Sequence, residues 1–329
     1  MKVGLQISSF TWPGGDAAIG PTLARIARQA DEVGFDSLWV MDHLFQIRSI
    51  GAREEPMLEG LTTLGYLAAH TSRLRLGLMV GGIHYRHPGM WLKAVTTLDV
   101  LSGGRAWFGI GAAWNEEESR GLGIPMPVLA DRFELLEDTL RFVRDGWTGD
   151  HGTERGFEGH AIRATRILNS PQALSRPRPP ILVGGGGEQR TLRLVARYAD
   201  ACNVFGAPEQ VAHKYAVLRR HCEAEGRDYG SIERTNLTWI SLTPDGRTGS
   251  MTPAALVDRL GAWAEAGSMH TIFSVRNVWD PAKLELIGRD VLPAVRDLGE
   301  RSPLDRPDDD MRPPSDTPGG YRPVLPSTT

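Results

Sequence analysis

Arg-Ala-Trp-Phe-Gly-Ile-Gly-Ala-Ala-Trp-Asn-Glu-Glu-Glu, residues 105–118, is the stretch whose reading decides the fold. An apolar run, 106–110, is followed by Gly111 and two alanines, then by Trp114, Asn115 and three consecutive carboxylates. A short continuous apolar run bounded by glycine suits a strand covered on both faces, as in a parallel sheet. Small residues at its end let a large flat ligand approach the backbone. The plainer reading is a strand followed by an acidic helix start, since carboxylates favour the first turn of a helix.

On either side the same unit recurs. Strand patterns at 3–8, 36–41, 74–80 and 106–110 are each followed by helical spacing, the first helix carrying Leu23, Ile26, Ala27 and Ala30 and closing at Gly34. After an irregular interval, 148–179, strands are expected at 181–183, 201–205, 235–242 and 271–275, each again followed by a helix. Eight strand-then-helix units imply right-handed crossovers and a parallel sheet. With no obvious switch point they favour closure into a (β/α)8 TIM barrel, a doubly wound open sheet being the alternative. The expected layout is an α/β barrel over 1–300, with an insertion at about 148–179 after strand four. A Pro/Asp-rich tail at 301–329 is expected to be disordered.

The formal net charge of −3 argues against a general nucleic-acid binder, which usually shows a strong basic excess. Cys202 and Cys222 form no disulfide framework and lack metal-ligand spacing, so they are expected to be packing thiols. No run approaches a membrane span, and the N-terminal strand pattern lacks a secretory h-region. The expectation is a cytoplasmic protein acting on a small molecule, with no nucleic-acid, membrane or metal partner.

A barrel carries its site at the C-terminal ends of its strands. Those ends hold Ser8, Ser9, Phe10 and Trp12, then Asp42 and His43, then Gly81, Gly82, Ile83 and His84, then 111–118, then Gly184, Gly185, Gly186 and Gly187. His43 is a candidate proton shuttle, its free imidazole titrating near neutrality, and Asp42 is placed to hold that ring or to cap the loop. Four glycines between a strand and a helix suit a phosphate grip, because backbone N–H groups there bind anions. Gly-x-Gly-x-x-Gly spacing, a Walker lysine, His-Glu-x-x-His and Gly-x-Ser-x-Gly are all missing, which disfavours dinucleotide Rossmann, NTPase, zinc and acyl-enzyme sites.

Asp42-His43, Tyr85-Arg86-His87-Pro88, the run 109–118, Pro180 to Gly187 and Ala199-Asp200-Ala201-Cys202-Asn203 together resemble the luciferase-like monooxygenase superfamily. Within it the chain resembles the oxidoreductases that depend on the deazaflavin coenzyme F420. The resemblance implies a homodimeric TIM barrel. It also implies a bulge with a non-prolyl cis peptide at Gly82-Ile83 behind the deazaflavin, His43 as the active-site histidine, and 112–115 (Ala112, Ala113, Trp114, Asn115) along the pyrimidine side. Gly184 to Gly187 match the phosphate grip, and Phe10, Trp12 and Trp114 would wall the substrate. Where a sugar-phosphate dehydrogenase of the superfamily has a glutamate soon after the strand-four glycine, this chain has Ala112, Ala113 and Trp114. Glu116 is the acid expected to join His43 and Trp114 in the catalytic set. Arg86, His87, Arg163 and Arg166 are candidates for the anionic oligoglutamate tail. The implied reaction is hydride transfer between the deazaflavin C5 and a small carbonyl, alcohol or activated double bond. An FMN-dependent monooxygenase and a non-catalytic phospholigand-binding barrel are the alternatives.

Overall fold

The computed structural model describes residues 1–247 and 249–305. Eight parallel strands, β1 (Lys2–Ile7), β2 (Ser37–Val40), β3 (Arg75–Leu78), β4 (Ala106–Gly111), β5 (Ile181–Gly184), β6 (Ala201–Phe205), β7 (Glu233–Ile240) and β8 (His270–Val275), follow one another around a ring. Pairing of β8 with β1 and of β4 with β5 closes it, so the open sheet is ruled out and the barrel stands. The helices outside it include α1 (Asp16–Val33), α2 (Gly60–Ala68), α3 (Pro88–Ser102), α4 (Glu116–Gly121), α5 (Leu129–Gly146), α6 (Thr191–Tyr198) and α7 (Pro208–Ala224). Gly34 ends α1 at φ 98°, its N–H donating to the Ala30 carbonyl. Helix α1 starts at Asp16 and includes Pro21.

Strand residues alternate between two apolar layers. One set packs against the helices. The other, Trp39, Met79, Trp107, Leu182, Ala201, Leu237 and Ile272, fills the barrel. Trp39 and Trp107 meet edge-on, 5.5 Å between ring centroids. A side chain at Gly77, between them in register, would meet Trp39 Cζ3 at 2.5 Å, so the two indoles take the volume that Gly77 leaves.

The insertion folds as nested antiparallel ladders, Gly152–Thr153 with Ile167–Leu168 and Phe157–Glu158 with Arg163–Ala164. Two fully buried carboxylates attach it to the barrel. Asp138 accepts from Ala161 N–H (2.7 Å), and Asp99 accepts from Leu174 N–H (2.7 Å) and Ser175 N–H (2.8 Å). Cys202 and Cys222 are buried and free, as expected, and burial pushes the Cys202 thiol up to about 12. Among the described residues no helix is long and apolar enough to cross a membrane.

At the N-terminal end of the barrel, buried Glu233 accepts from Lys2 Nζ (3.1 Å), and one of its oxygens lies 2.8 Å from His270 Nδ1. The imidazole's other nitrogen lies 2.9 Å from Ser37 Oγ, which also accepts from Trp39 Nε1 (2.6 Å). Ser302 closes the group by donating to Glu233, and Leu304 packs against the interior apolar set. The first residues of the expected tail are therefore built into the barrel floor, because one hydroxyl and one leucine within a polar stretch find a buried acceptor and an apolar surface. The remainder, 306–329, lies outside the described residues.

Burial alone would raise the Glu233 pKa, but Lys2, His270 and Ser302 outweigh it and hold the carboxyl at about 2, below the ordinary 4.5. A depressed acid stabilises the fold fully above its unfolded pKa and loses that contribution as pH falls toward the folded value. Urea midpoints followed from pH 5 to pH 2 should therefore fall steeply in the parent and less steeply in Glu233→Gln; equal slopes would remove this carboxylate from the acid response.

Candidate active site

Strand β3 and the short segment Gly81–Gly82 both pair with β4, but out of step. Gly77 pairs with Trp107 and Gly81 with Ile110, so one surplus residue lies between them, as in a β-bulge. The peptide bond between Met79 and Val80 within this stretch is cis. The cis bond was expected at Gly82-Ile83. There, however, regular pairing has already resumed: Gly82 is in register with Gly111, and Ile83 N–H donates to the Gly111 carbonyl (3.1 Å).

The bulge turns the Val80 side chain into a crevice between β4 and β5. An added Cβ would meet Val80 Cγ2 at 2.9 Å from Gly111 and Val80 Cγ1 at 2.7 Å from Gly184. Both glycines were expected to admit a ligand; they line the cavity described below and also make room for Val80. Asp42, buried at the end of β2, holds the far side of the bulge by accepting from Gly82 N–H (3.0 Å). Burial raises the Asp42 pKa, and Arg86 opposes this with two hydrogen bonds, 2.7 and 2.8 Å, while also reaching Glu59. Asp42 thus holds the bulge and Arg86, and it does not hold the imidazole.

That part belongs to Glu118. It is fully buried on α4; Oε1 lies 2.7 Å from His43 Nδ1 and accepts from Tyr85 OH (2.5 Å). Oε2 accepts from the N–H groups of Leu44 (2.6 Å) and Phe45 (3.1 Å). Burial would raise the Glu118 pKa, but these donors outweigh it and the net direction is down. Burial, with Glu118 beside it, pushes Tyr85 up. The Trp114 ring stands edge-on to His43 at 5.3 Å and is mostly exposed at the rim. Asn115 caps α4, its side chain accepting from Glu117 N–H (3.2 Å). Both readings of 105–118 therefore hold: a buried strand and an acidic helix start.

These parts surround a cavity of about 610 Å³ at the C-terminal mouth of the barrel. Its walls combine Met79, Val80, Gly81 and Gly82 of the bulge, 111–115 of the β4 end and the glycine turn after β5 with the apolar side chains of Leu129, Phe133, Phe205, Leu237 and Trp239. A second cavity of about 820 Å³ adjoins it over β7, β8 and β1, sharing Gln6, Ser49 and Trp239. Ala113 adopts φ 59°, uncommon without glycine, and its carbonyl accepts from Arg132 Nη1 (2.9 Å).

A family model for luciferase-like monooxygenases matches residues 1–245. The chain belongs to that family. An F420-dependent glucose-6-phosphate dehydrogenase of Kineococcus radiotolerans is 28% identical over 280 residues, spanning 81% of this chain and 77% of the relative. Among solved structures, an F420-dependent secondary alcohol dehydrogenase in complex with an F420-acetone adduct superimposes at TM-score 0.74 with 18% identity, over 90% of this chain and 99% of that one. EDTA monooxygenase from Chelativorans sp. BNC1 does so at TM-score 0.77 with 15% identity, over 92% and 96%. At such identities these two likenesses concern the fold.

On this luciferase-like barrel, Asp42, His43, Gly81, Gly82, Gly111 to Asn115, Gly184, Gly185 and Gly187 line the main cavity, as the sequence suggested. Gly186 lies in the same turn just outside the lining, and Trp12 lines the second cavity. Phe10 is buried beneath Trp12 (5.5 Å between centroids), and Ile83 is wholly buried. Glu116 points to solvent and pairs with Arg120 (2.6 Å); two residues further along a helix the direction turns by roughly 200°, so it is Glu118 that faces the barrel. Of the arginines considered for an anionic tail, Arg86 is held by Asp42, Arg163 pairs with Glu158 (3.2 Å) and Arg166 with Glu154 (2.6 Å), while His87 caps α3. The apolar wall from Leu129, Phe133, Phe205, Leu237 and Trp239 was missed; Leu237 and Trp239 share a face of β7 by their spacing of two, but nothing local aims that face at the mouth.

Gly184→Ala should displace Val80 and cost about 1–3 kcal/mol in chemical denaturation, as overpacking does. Val80→Ala in the same chain should return part of that loss; a strictly additive double variant would sink the account of this crevice.

Proposed function

We propose that the protein is a coenzyme F420-dependent oxidoreductase that moves a hydride between the deazaflavin C5 and a small organic substrate, a carbonyl/alcohol pair or an activated C=C or C=N bond. The observation that carries this reading is the cavity itself: a flat-ligand space backed by the Val80 bulge, with His43 in its wall and a glycine turn at one side. The F420-dependent relatives named above support the choice of cofactor.

The residues present fit such a cofactor. Gly81, Gly82, Ala112 and Ala113 keep the wall thin where a planar ring would lie, and Leu129 and Phe133 supply apolar cover. The glycine turn fits a phosphate with one amendment to the expected grip. Gly185, at φ 127°, already donates its N–H to the Asn203 carbonyl (3.0 Å). Among the described residues the Gly186 and Gly187 N–H groups have no partner, and Lys214, paired with Glu188 (2.6 Å), stands next to Gly186. When bound, the deazaflavin would supply two-electron hydride chemistry. His43 would exchange a proton with the substrate, Trp114 and Trp12 would bound the substrate face, and the apolar wall would exclude water. The resemblance further implies a homodimer, which sedimentation velocity checks.

Titration with coenzyme F420 and with FMN, followed by quenching of the nine tryptophans, should show micromolar or tighter binding of the deazaflavin. Preference for FMN with oxygen consumption would instead make the protein a flavin-dependent monooxygenase; tight ligand binding without any redox turnover would leave a phospholigand-binding barrel. Two variants test the roles. His43→Ala should slow turnover by about 10²–10⁴-fold, the usual contribution of a positioned acid or base, with cofactor affinity nearly unchanged; unchanged turnover would remove it from the chemistry. At Gly186 a side chain has room, so Gly186→Asp should fold normally and weaken deazaflavin binding by bringing a carboxylate to the phosphate; parental affinity would refute the grip.

A further inference from the structure

We propose that Glu118 is a positioning residue that fixes His43 in a single tautomer, with Nδ1–H donated to the carboxylate, so that Nε2 is the ring atom that exchanges a proton with the substrate. What His43 serves rests on the function proposed above; its tautomer is a property of this chain alone.

An ionised carboxylate only accepts hydrogen bonds. The four groups within reach of Glu118 are Leu44 N–H, Phe45 N–H, Tyr85 OH and His43 Nδ1, and the first two can only donate. With the carboxylate ionised, Nδ1 must carry the proton and Nε2 of the neutral ring is left as an acceptor. Asp42, the adjacent acid, makes no hydrogen bond to the ring; its oxygens accept from Arg86 and Gly82 N–H. Glu118 is also excluded from direct proton exchange with a substrate, because it is fully buried and both its oxygens are engaged. His43, by contrast, lines the cavity, and its Nε2 has no partner among the described residues.

In the direction of alcohol oxidation a bound deazaflavin would take the hydride from the carbinol carbon, and His43 Nε2 would take the hydroxyl proton. The O–H bond breaks, a carbonyl forms, Nε2–H forms, and the new imidazolium faces the Glu118 carboxylate. Reduction runs the same steps backwards, with Nε2–H as the donor. Glu118 thus orients the ring and offsets its charge without touching substrate, while Tyr85 and the two backbone donors hold the carboxylate in place.

The substitution Glu118→Gln keeps the shape and inverts the demand on the ring. Its amide oxygen can serve Leu44 and Phe45 N–H, which turns the NH₂ group toward His43, so Nδ1 must accept and Nε2 must carry the proton. Proton-detected ¹⁵N NMR of histidine-labelled, cofactor-free protein, with His43 identified by its loss in His43→Gln, reads this directly. The parent should show a pyridine-like Nε2 and a protonated Nδ1; Glu118→Gln should show the reverse; Tyr85→Phe should resemble the parent. With F420 bound, Glu118→Gln should lower kcat on the order of 10²-fold while leaving the Kd for F420 within about twofold. A protonated Nε2 in neutral His43 of the parent would overturn the proposal even if the Gln variant fails to fold, and so would an unchanged tautomer in a folded Gln variant. Failure to bind F420 would defeat the proposed function while leaving the tautomer measurement fully readable.

Discussion

Between the pairings Gly77 with Trp107 and Gly81 with Ile110, β3 and its continuation use one residue more than β4, and the surplus has to leave the ladder. It leaves toward the barrel axis, and the Val80 side chain enters the crevice where Gly111 and Gly184 have no side chains of their own. A side chain added at either glycine would overlap Val80. The cavity floor, the direction of the Gly81–Gly82 segment and the start of the glycine turn after β5 all follow from that fit. Asp42 and Arg86 then hold the outer edge of the bulge through the Gly82 N–H.

The buried carboxylates divide the remaining work by location. Glu233, at the floor, joins β1, β7, β8 and the segment around Ser302. Asp99 and Asp138 bind the insertion to the helices beneath it. Asp42 secures the bulge, and Glu118 ties the loop after β2 to α4 while holding His43. Each is surrounded by donors, as a buried charge must be if its desolvation is to be offset. The Glu118 cluster reaches the cavity through one further group, His43.

The barrel was legible because its evidence is periodic and repeated: eight apolar runs, each followed by helical spacing, leave little freedom for connection or direction. The mouth residues were legible because barrel topology assigns the strand ends to one face, which sufficed for His43, Trp114 and the glycine turn. What misled were the pairings assigned to Asp42 and to the acids that follow β4. Three consecutive acids look alike in sequence, and Glu116 is the nearest to the strand, yet the turn of α4 directs Glu118 inward and Glu116 to solvent. Asp42 is adjacent to His43 in the chain, yet its side chain goes to Arg86.

From its residue pattern alone, the chain determined a parallel barrel, the position of the insertion, the face that carries the site and the glycine-rich part of the cavity wall, because hydrophobic period and glycine placement act over short distances along the chain. Only the tertiary structure decided which carboxylate holds the imidazole, which glycines accommodate Val80, where the ladder carries its surplus residue, and that Ser302 and Leu304 belong to the barrel floor. Those outcomes depend on contacts between segments tens to hundreds of residues apart, whose geometry is set by packing of the closed barrel and leaves no local signature in the chain.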